Sequence, residues 1–156
     1  MATYDYSTLY KTFSRLIKSR LDMTMIELSG NGEPPKPPYV AFDIISPKLP
    51  NNFLEDDPSF ECVVSFTVYA KRKLDALNEC NKLRDILGDL TSQDIYDKND
   101  IVLVERMQTT QRYVQETNVY AYMYGFDVRL RLCEPFEDDR GQITDVEPKR
   151  TIKGEK

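Results

Sequence analysis

The sequence contains no histidine. That absence removes the commonest general base, the Ser-His and Cys-His nucleophile pairs, and every metal site that requires imidazole. Cysteine is scarce as well. Cys62, Cys80 and Cys133 form an odd set without C-x-x-C spacing, which offers neither a disulfide framework nor a zinc site. All three read as small core hydrophobes. No apolar run approaches the roughly 20 residues that span a bilayer. The segment after Met1 also lacks the apolar core of a signal peptide. The chain is therefore expected to be cytoplasmic when made, with no membrane partner.

Positive charge is in deficit: 21 Lys and Arg stand against 26 Asp and Glu, a net charge of -5. Such a balance argues against general affinity for nucleic acid or an anionic membrane, which are themselves negative. What is present fits one soluble globular domain, with 156 residues of which 40% are hydrophobic and 30% charged. No internal repeat is visible.

Carboxylates alone can run an enzyme, but the acids here cluster in the wrong places. Glu55, Asp56 and Asp57 fall in a predicted loop, and Glu137, Asp138 and Asp139 in a predicted tail, where carboxylates stay solvated with ordinary acidity. Gly30-Asn31-Gly32 opens like a nucleotide fingerprint, yet Pro35 takes the third glycine position and no helix N-terminus follows. Asp97, Asn99 and Asp100 lack the glycine and closing glutamate of a calcium loop. No catalytic residue, cofactor site or metal ligand emerges, and the chain is expected not to be an enzyme.

Apolar periodicity then sets out the elements. Leu9, Phe13, Leu16, Ile17 and Leu21 recur at helical spacing, predicting a helix over 5–21 that Thr3 or Ser7 is placed to cap. Met23 to Leu28 reads as an edge strand before the breaker-rich loop 29–38. A strand follows at 39–46, ended by Pro47 and Pro50. The loop after it carries a lone apolar pair, Phe53 and Leu54, amid Asn51, Asn52, Glu55 and Asp56. From Phe60 to Ala70 the alternation is that of a half-buried strand, leading into a second helix over 71–88 with Gly88 as its stop. Residues 89–100 are polar with isolated apolar positions, and 101–110 reads as a strand.

The last strand runs from Tyr120 to Leu132. Tyr120, Tyr122, Tyr124, Phe126, Val128, Leu130 and Leu132 share one face, and Gly125 marks the point where so long a run is expected to divide into a core strand and an extension. Arg106, Arg112, Arg129 and Arg131, with ten tyrosines, would suit a stacking nucleic-acid sheet. Core or subunit contact for the tyrosines, and cross-strand acids for the arginines, is the better account. The expected fold is α+β: a two-layer domain over 1–133, with a mainly antiparallel or mixed sheet of four to five strands, two amphipathic helices on one face and a long protruding hairpin. Residues 134–156 read as a polar tail, flexible or an arm.

Three segments together resemble a known family: the proline-rich loop leading into PPYVAFDIIS, the strand passing straight into a helix in CVVSFTVYAKRKLDALNECNKLRDIL, and the late strand YGFDVRLRL. Their order and spacing are similar to the tail terminator or neck proteins of long-tailed bacteriophages, over about 5–133, leaving the C-terminal tail unmatched. The resemblance implies a structural virion protein with no catalytic residues. By that resemblance it is expected to form a ring, a hexamer, at the head-proximal end of the tail tube, stopping polymerisation and joining the tube protein to the head connector while DNA only passes through the lumen. A head-completion or stopper protein of the connector, and an unrelated cytoplasmic binding module, stay open as alternatives. For a ring-former, Arg112, Tyr113, Tyr120 and Tyr122 on the segment 108–125 are the expected subunit contacts, tyrosine and arginine being enriched in interfaces. Asn51, Asn52, Phe53, Leu54, Glu55 and Asp56 are the expected docking loop toward tube or connector.

Overall fold

The computed structural model describes residues 3–28, 30, 32–112 and 122–135. Among these described residues three helices and six strands follow one another as α1 (Ser7–Leu21), β1 (Thr24–Glu27), β2 (Tyr39–Pro50), β3 (Ser59–Ala70), α2 (Lys73–Leu87), α3 (Leu90–Lys98), β4 (Val102–Arg106), β5 (Thr110–Arg112) and β6 (Tyr122–Cys133). The sheet is mixed, in the order β1-β2-β3-β6-β4, with β5 also pairing β6. β1 is parallel to β2 and the other pairings are antiparallel. The α+β class and the helix-covered sheet agree with the sequence reading, with one strand and one helix more than expected.

The centre is β3 against β6, paired residue for residue from Ser59↔Cys133 to Ala70↔Tyr122 without a register shift. Twelve residues at about 3.3 Å each make a ribbon of about 40 Å. The expected division at Gly125 is thus corrected: the strand runs straight through it. Glycine is required there for another reason, since a Cβ would lie 2.6 Å from the Phe66 carbonyl oxygen and 2.8 Å from the Arg112 guanidinium carbon.

One apolar cluster joins the sheet to all three helices. Phe13 of α1 sits edge-on to Phe66 at 5.1 Å and 5.9 Å from Tyr96 of α3, and Phe66 stacks on Phe126 at 5.7 Å. Cys80, Leu83 and Leu87 bring α2 into the same cluster. Burying one such large side chain contributes about 1.5–3 kcal/mol. The Tyr96 hydroxyl donates to the Leu87 carbonyl at 2.7 Å, so its polar atom is satisfied inside the core.

Other expectations shift for physical reasons. Pro47 and Pro50 do not end β2; the strand reaches Pro50. Its pairing with β1 stops at Phe42, and bulges fall between Ile44/Ser46 and Ser46/Leu49. Beyond Phe42 this is edge strand, where a missing N–H costs no ladder bond. Residues 89–100, read as polar chain, hold α3, capped by Asp89 accepting from the Ser92 N–H at 2.9 Å. At α1 neither Thr3 nor Ser7 caps: Tyr6 is the N-cap residue, and the Asp5 carboxylate accepts from the Ser7 N–H. Cys62 and Cys80 are buried, their thiols pushed up to about 11 by burial. Cys133 is exposed, because it falls on the uncovered face one residue past Leu132.

Candidate docking surfaces

The turn joining β2 to β3 presents two adjacent, strongly exposed apolar side chains. Phe53 is 98% exposed and Leu54 76%. The turn is braced from within. Asn51 donates to the Ser59 carbonyl at 2.8 Å, Asn52 to the Asp56 carboxylate at 2.6 Å, and Asp57 accepts from the Ser59 N–H at 2.8 Å. These are Asx-type local bonds that compete with regular structure and fix a turn. Glu55 adopts a left-handed φ of 54°, with its N–H bonded to the Asn52 carbonyl. A non-glycine residue held there is strained. Asn51 and Asp57 thus bond the backbone of Ser59 and Asn52 bonds Asp56, while the two hydrophobes stay exposed beside the negative charges of Glu55, Asp56 and Asp57. The root is fastened too: Lys48 pairs with Glu134 and lies over the Phe60 ring at 5.5 Å, and the Tyr6 hydroxyl donates to the Pro47 carbonyl at 2.7 Å.

The second expected surface lies toward the opposite end of the ribbon, at the Tyr122 end of β6. Arg112 ends β5 and reaches across Gly125 on the face away from the helices, donating to Ser65 Oγ, to Thr67 Oγ1 at 2.9 Å and to Asp127 Oδ1 at 2.8 Å. Its guanidinium closes over two hydroxyls that are each only 5% exposed. Tyr122 is 46% exposed. Tyr124 packs against the core edge. Tyr113 and Tyr120 lie outside the described residues, as does the middle of the segment 108–125. Arg129 and Arg131 face Glu61 across β3 and β6 at 3.6 and 3.4 Å, the cross-strand pairing anticipated for them.

Among the described residues no cluster of metal-binding side chains occurs, and no helix is long and apolar enough to cross a membrane. Tyr4 is half-buried against Phe60 and Tyr6, and burial pushes its hydroxyl up to about 12, which leaves it neutral. The signal that sequence reasoning missed is the brace: Asn51, Asn52 and Asp57 carry turn chemistry, and their spacing around Phe53 and Leu54 foretells an outward-held pair.

No curated protein matches the sequence. A family model described as phage neck terminator protein matches residues 7–154, which takes in the polar segment beyond Cys133 as well as the sheet and helices. With nearly the whole chain covered, this protein belongs to the phage neck terminator family.

Proposed function

We propose that the protein forms a ring, a hexamer, that caps the head-proximal end of the tail tube, ends tube polymerisation and joins the tail to the head connector. Membership of a neck terminator family is structural rather than catalytic in kind, and it supports association with tail and connector proteins. The observation that carries the finer reading is the braced turn with Phe53 and Leu54 held outward. An apolar pair kept in water by a strained, internally bonded turn is a contact awaiting a partner. Asn51, Asn52, Glu55 and Asp56 shape that contact, which meets the tube or the connector. Neighbouring copies meet along the β5–β6 side, through Tyr122 with Tyr113 and Tyr120, and Arg112 fixes the root of the segment that carries them. A heterologous contact of this kind closes into a ring by rotation.

The test adds purified protein to growing tail tubes. Arrested elongation by the wild type, lost with Phe53→Asp/Leu54→Asp while the circular dichroism spectrum is unchanged, is the expected result. Normal elongation with bound protein at the connector would instead make it a stopper of the head side. Rings in electron micrographs check the copy number, and their absence at tube-capping concentrations would remove the ring.

A further inference from the structure

The edge of the sheet beside β2 changes character at Phe42. Up to there β1 pairs with it, and the Leu28 N–H closes the ladder on the Phe42 carbonyl at 2.9 Å. Beyond it, no strand among the described residues pairs with this side of Asp43–Ser46. By the alternation of the strand, Ile44 turns its N–H and C=O toward that same side. Pro47, which has no N–H, ends the usable stretch. The outer edge of β1 is closed differently: the Tyr10 hydroxyl donates to the Met25 carbonyl at 2.9 Å, and the Glu27 carbonyl accepts from the Gly30 N–H at 3.2 Å. The open stretch is thus a short strand position in line with the end of β1.

A groove of about 350 Å³ lies beside it, floored by Phe42, Ile44 and Tyr10 with Leu28 on the rim. Glu27 and Asp43 also line it, both exposed and neither in an ion pair among the described residues. An apolar slot with free backbone groups and two unpaired carboxylates selects an extended segment that alternates apolar and cationic side chains.

The chain carries such a segment. Residues 148–153 read PKRTIK. Extended, Arg150 and Ile152 would share one face and Lys149, Thr151 and Lys153 the other. By register Glu27 stands opposite Phe42 on the helix side of the sheet, and Asp43 stands opposite Ser65 on the other side. Arg150 and Ile152 therefore match Glu27 and the groove, and the lysines match Asp43. The last described residues start in the right place: Glu134 pairs with Lys48 of β2 and donates its N–H to the Pro58 carbonyl at 2.9 Å. The stretch 136–147 would reach about 40 Å when extended. Lys48 to Asp43 is only about 17 Å of strand. A tether of this length holds its end at on the order of millimolar effective concentration. The family match, which runs to residue 154, includes this segment.

We propose that the strand position beside Asp43–Ser46 binds an extended apolar segment flanked by cations, and that residues 148–153 of the same chain are its occupant. The inference concerns the single subunit and stands or falls apart from ring formation. A benzophenone amino acid at position 28 of the full chain, where Leu28 is 45% exposed, provides the probe. Irradiation should give crosslinks to residues 148–153 in a product of monomer mass. The triple change Lys149→Glu, Arg150→Glu and Lys153→Glu should lower that yield at least tenfold, and Glu27→Lys with Asp43→Lys should restore it. Crosslinks confined to other segments, a product of twice the monomer mass, or a yield indifferent to the charge changes would each overturn the proposal.

Discussion

On the helix side of β3, Phe60, Cys62, Val64, Phe66 and Val68 are sealed by apolar neighbours from three helices. On the other side, Ser65 and Thr67 are nearly as well sealed, although the three described helices pack into the cluster on the opposite face. The two faces reach similar burial by unlike means. One uses area removed from water, spread over many weak contacts. The other uses a single guanidinium laid flat across a glycine, donating to two hydroxyls and a carboxylate. The difference teaches that the helix face should lose stability in proportion to the volume removed, whereas the open face should fail or hold as one polar unit.

Phe66→Ala breaks the comparison on the apolar side and carries the largest expected effect. Phe66 is fully buried and contacts the rings of Phe13, Phe42 and Phe126. Its loss should destabilise by about 3–5 kcal/mol, read as a lowered urea midpoint with an unchanged slope. A change under 1 kcal/mol would mean that the core collapses around the gap.

On the polar side, Arg112→Ala leaves Ser65, Thr67 and Asp127 without their donor, at an expected cost of about 1–3 kcal/mol. Gly125→Ala should cost about 1–3 kcal/mol as overpacking, because the new methyl group meets both the Phe66 carbonyl and the Arg112 guanidinium. The pair sharpens the comparison through a double-mutant cycle. In the Arg112→Ala background the cost of Gly125→Ala should shrink without vanishing, since only one of the two clashes is gone. Strict additivity in urea unfolding would show that Arg112 does not close the face as a unit with the glycine.

The same contrast explains what the sequence revealed. The helix face was legible because apolar spacing encodes it directly: Phe13, Leu16 and Ile17 fall at helical period, and Phe60 to Val68 at strand period. The open face was only half legible. Arg112 was singled out as a contact for a neighbour, yet its partners Ser65 and Thr67 lie more than forty positions away and share no periodic signal with it. Gly125 suggested a division of the strand because local rules make a strand glycine a weak point, whereas its reason is a side chain arriving from β5. The helix α3 escaped because only Ser92 and Tyr96 are buried in it and Leu90 points outward; Asp89, the cap, was the signal available. At the β2–β3 turn the composition singled out Phe53 and Leu54, but the inward bonding of Asn51, Asn52 and Asp57 that keeps them outward is geometry.

The smallest expected effect tests a fastening at the rim of the covered face. Arg20 of α1 holds Asp89 at 2.6 Å, and Asp89 also caps α3 through the Ser92 N–H. The hydrogen bond from Arg20, followed by the bond from the Ser92 backbone, lowers the Asp89 carboxyl from its ordinary 3.8 to about 2. The folded state therefore binds this proton less readily than the unfolded chain. Its stabilising contribution is fully present above about pH 4 and is lost as the pH falls from 3.8 toward 2. Both side chains are about one-third exposed, so water and salt screen the attraction and the effect should be modest. Asp89→Asn keeps an acceptor for the cap and removes the charge together with the second oxygen that accepts from Arg20. Wild type should thus exceed the variant in urea midpoint at pH 6, converge with it by pH 2, and lose part of its advantage in 1 M salt. A midpoint difference that persisted unchanged to pH 2 would assign the effect to the cap geometry of α3 and leave the ion pair without a share. The rim would then rest on hydrogen bonds alone, unlike the open face, whose unit includes the Arg112–Asp127 ion pair.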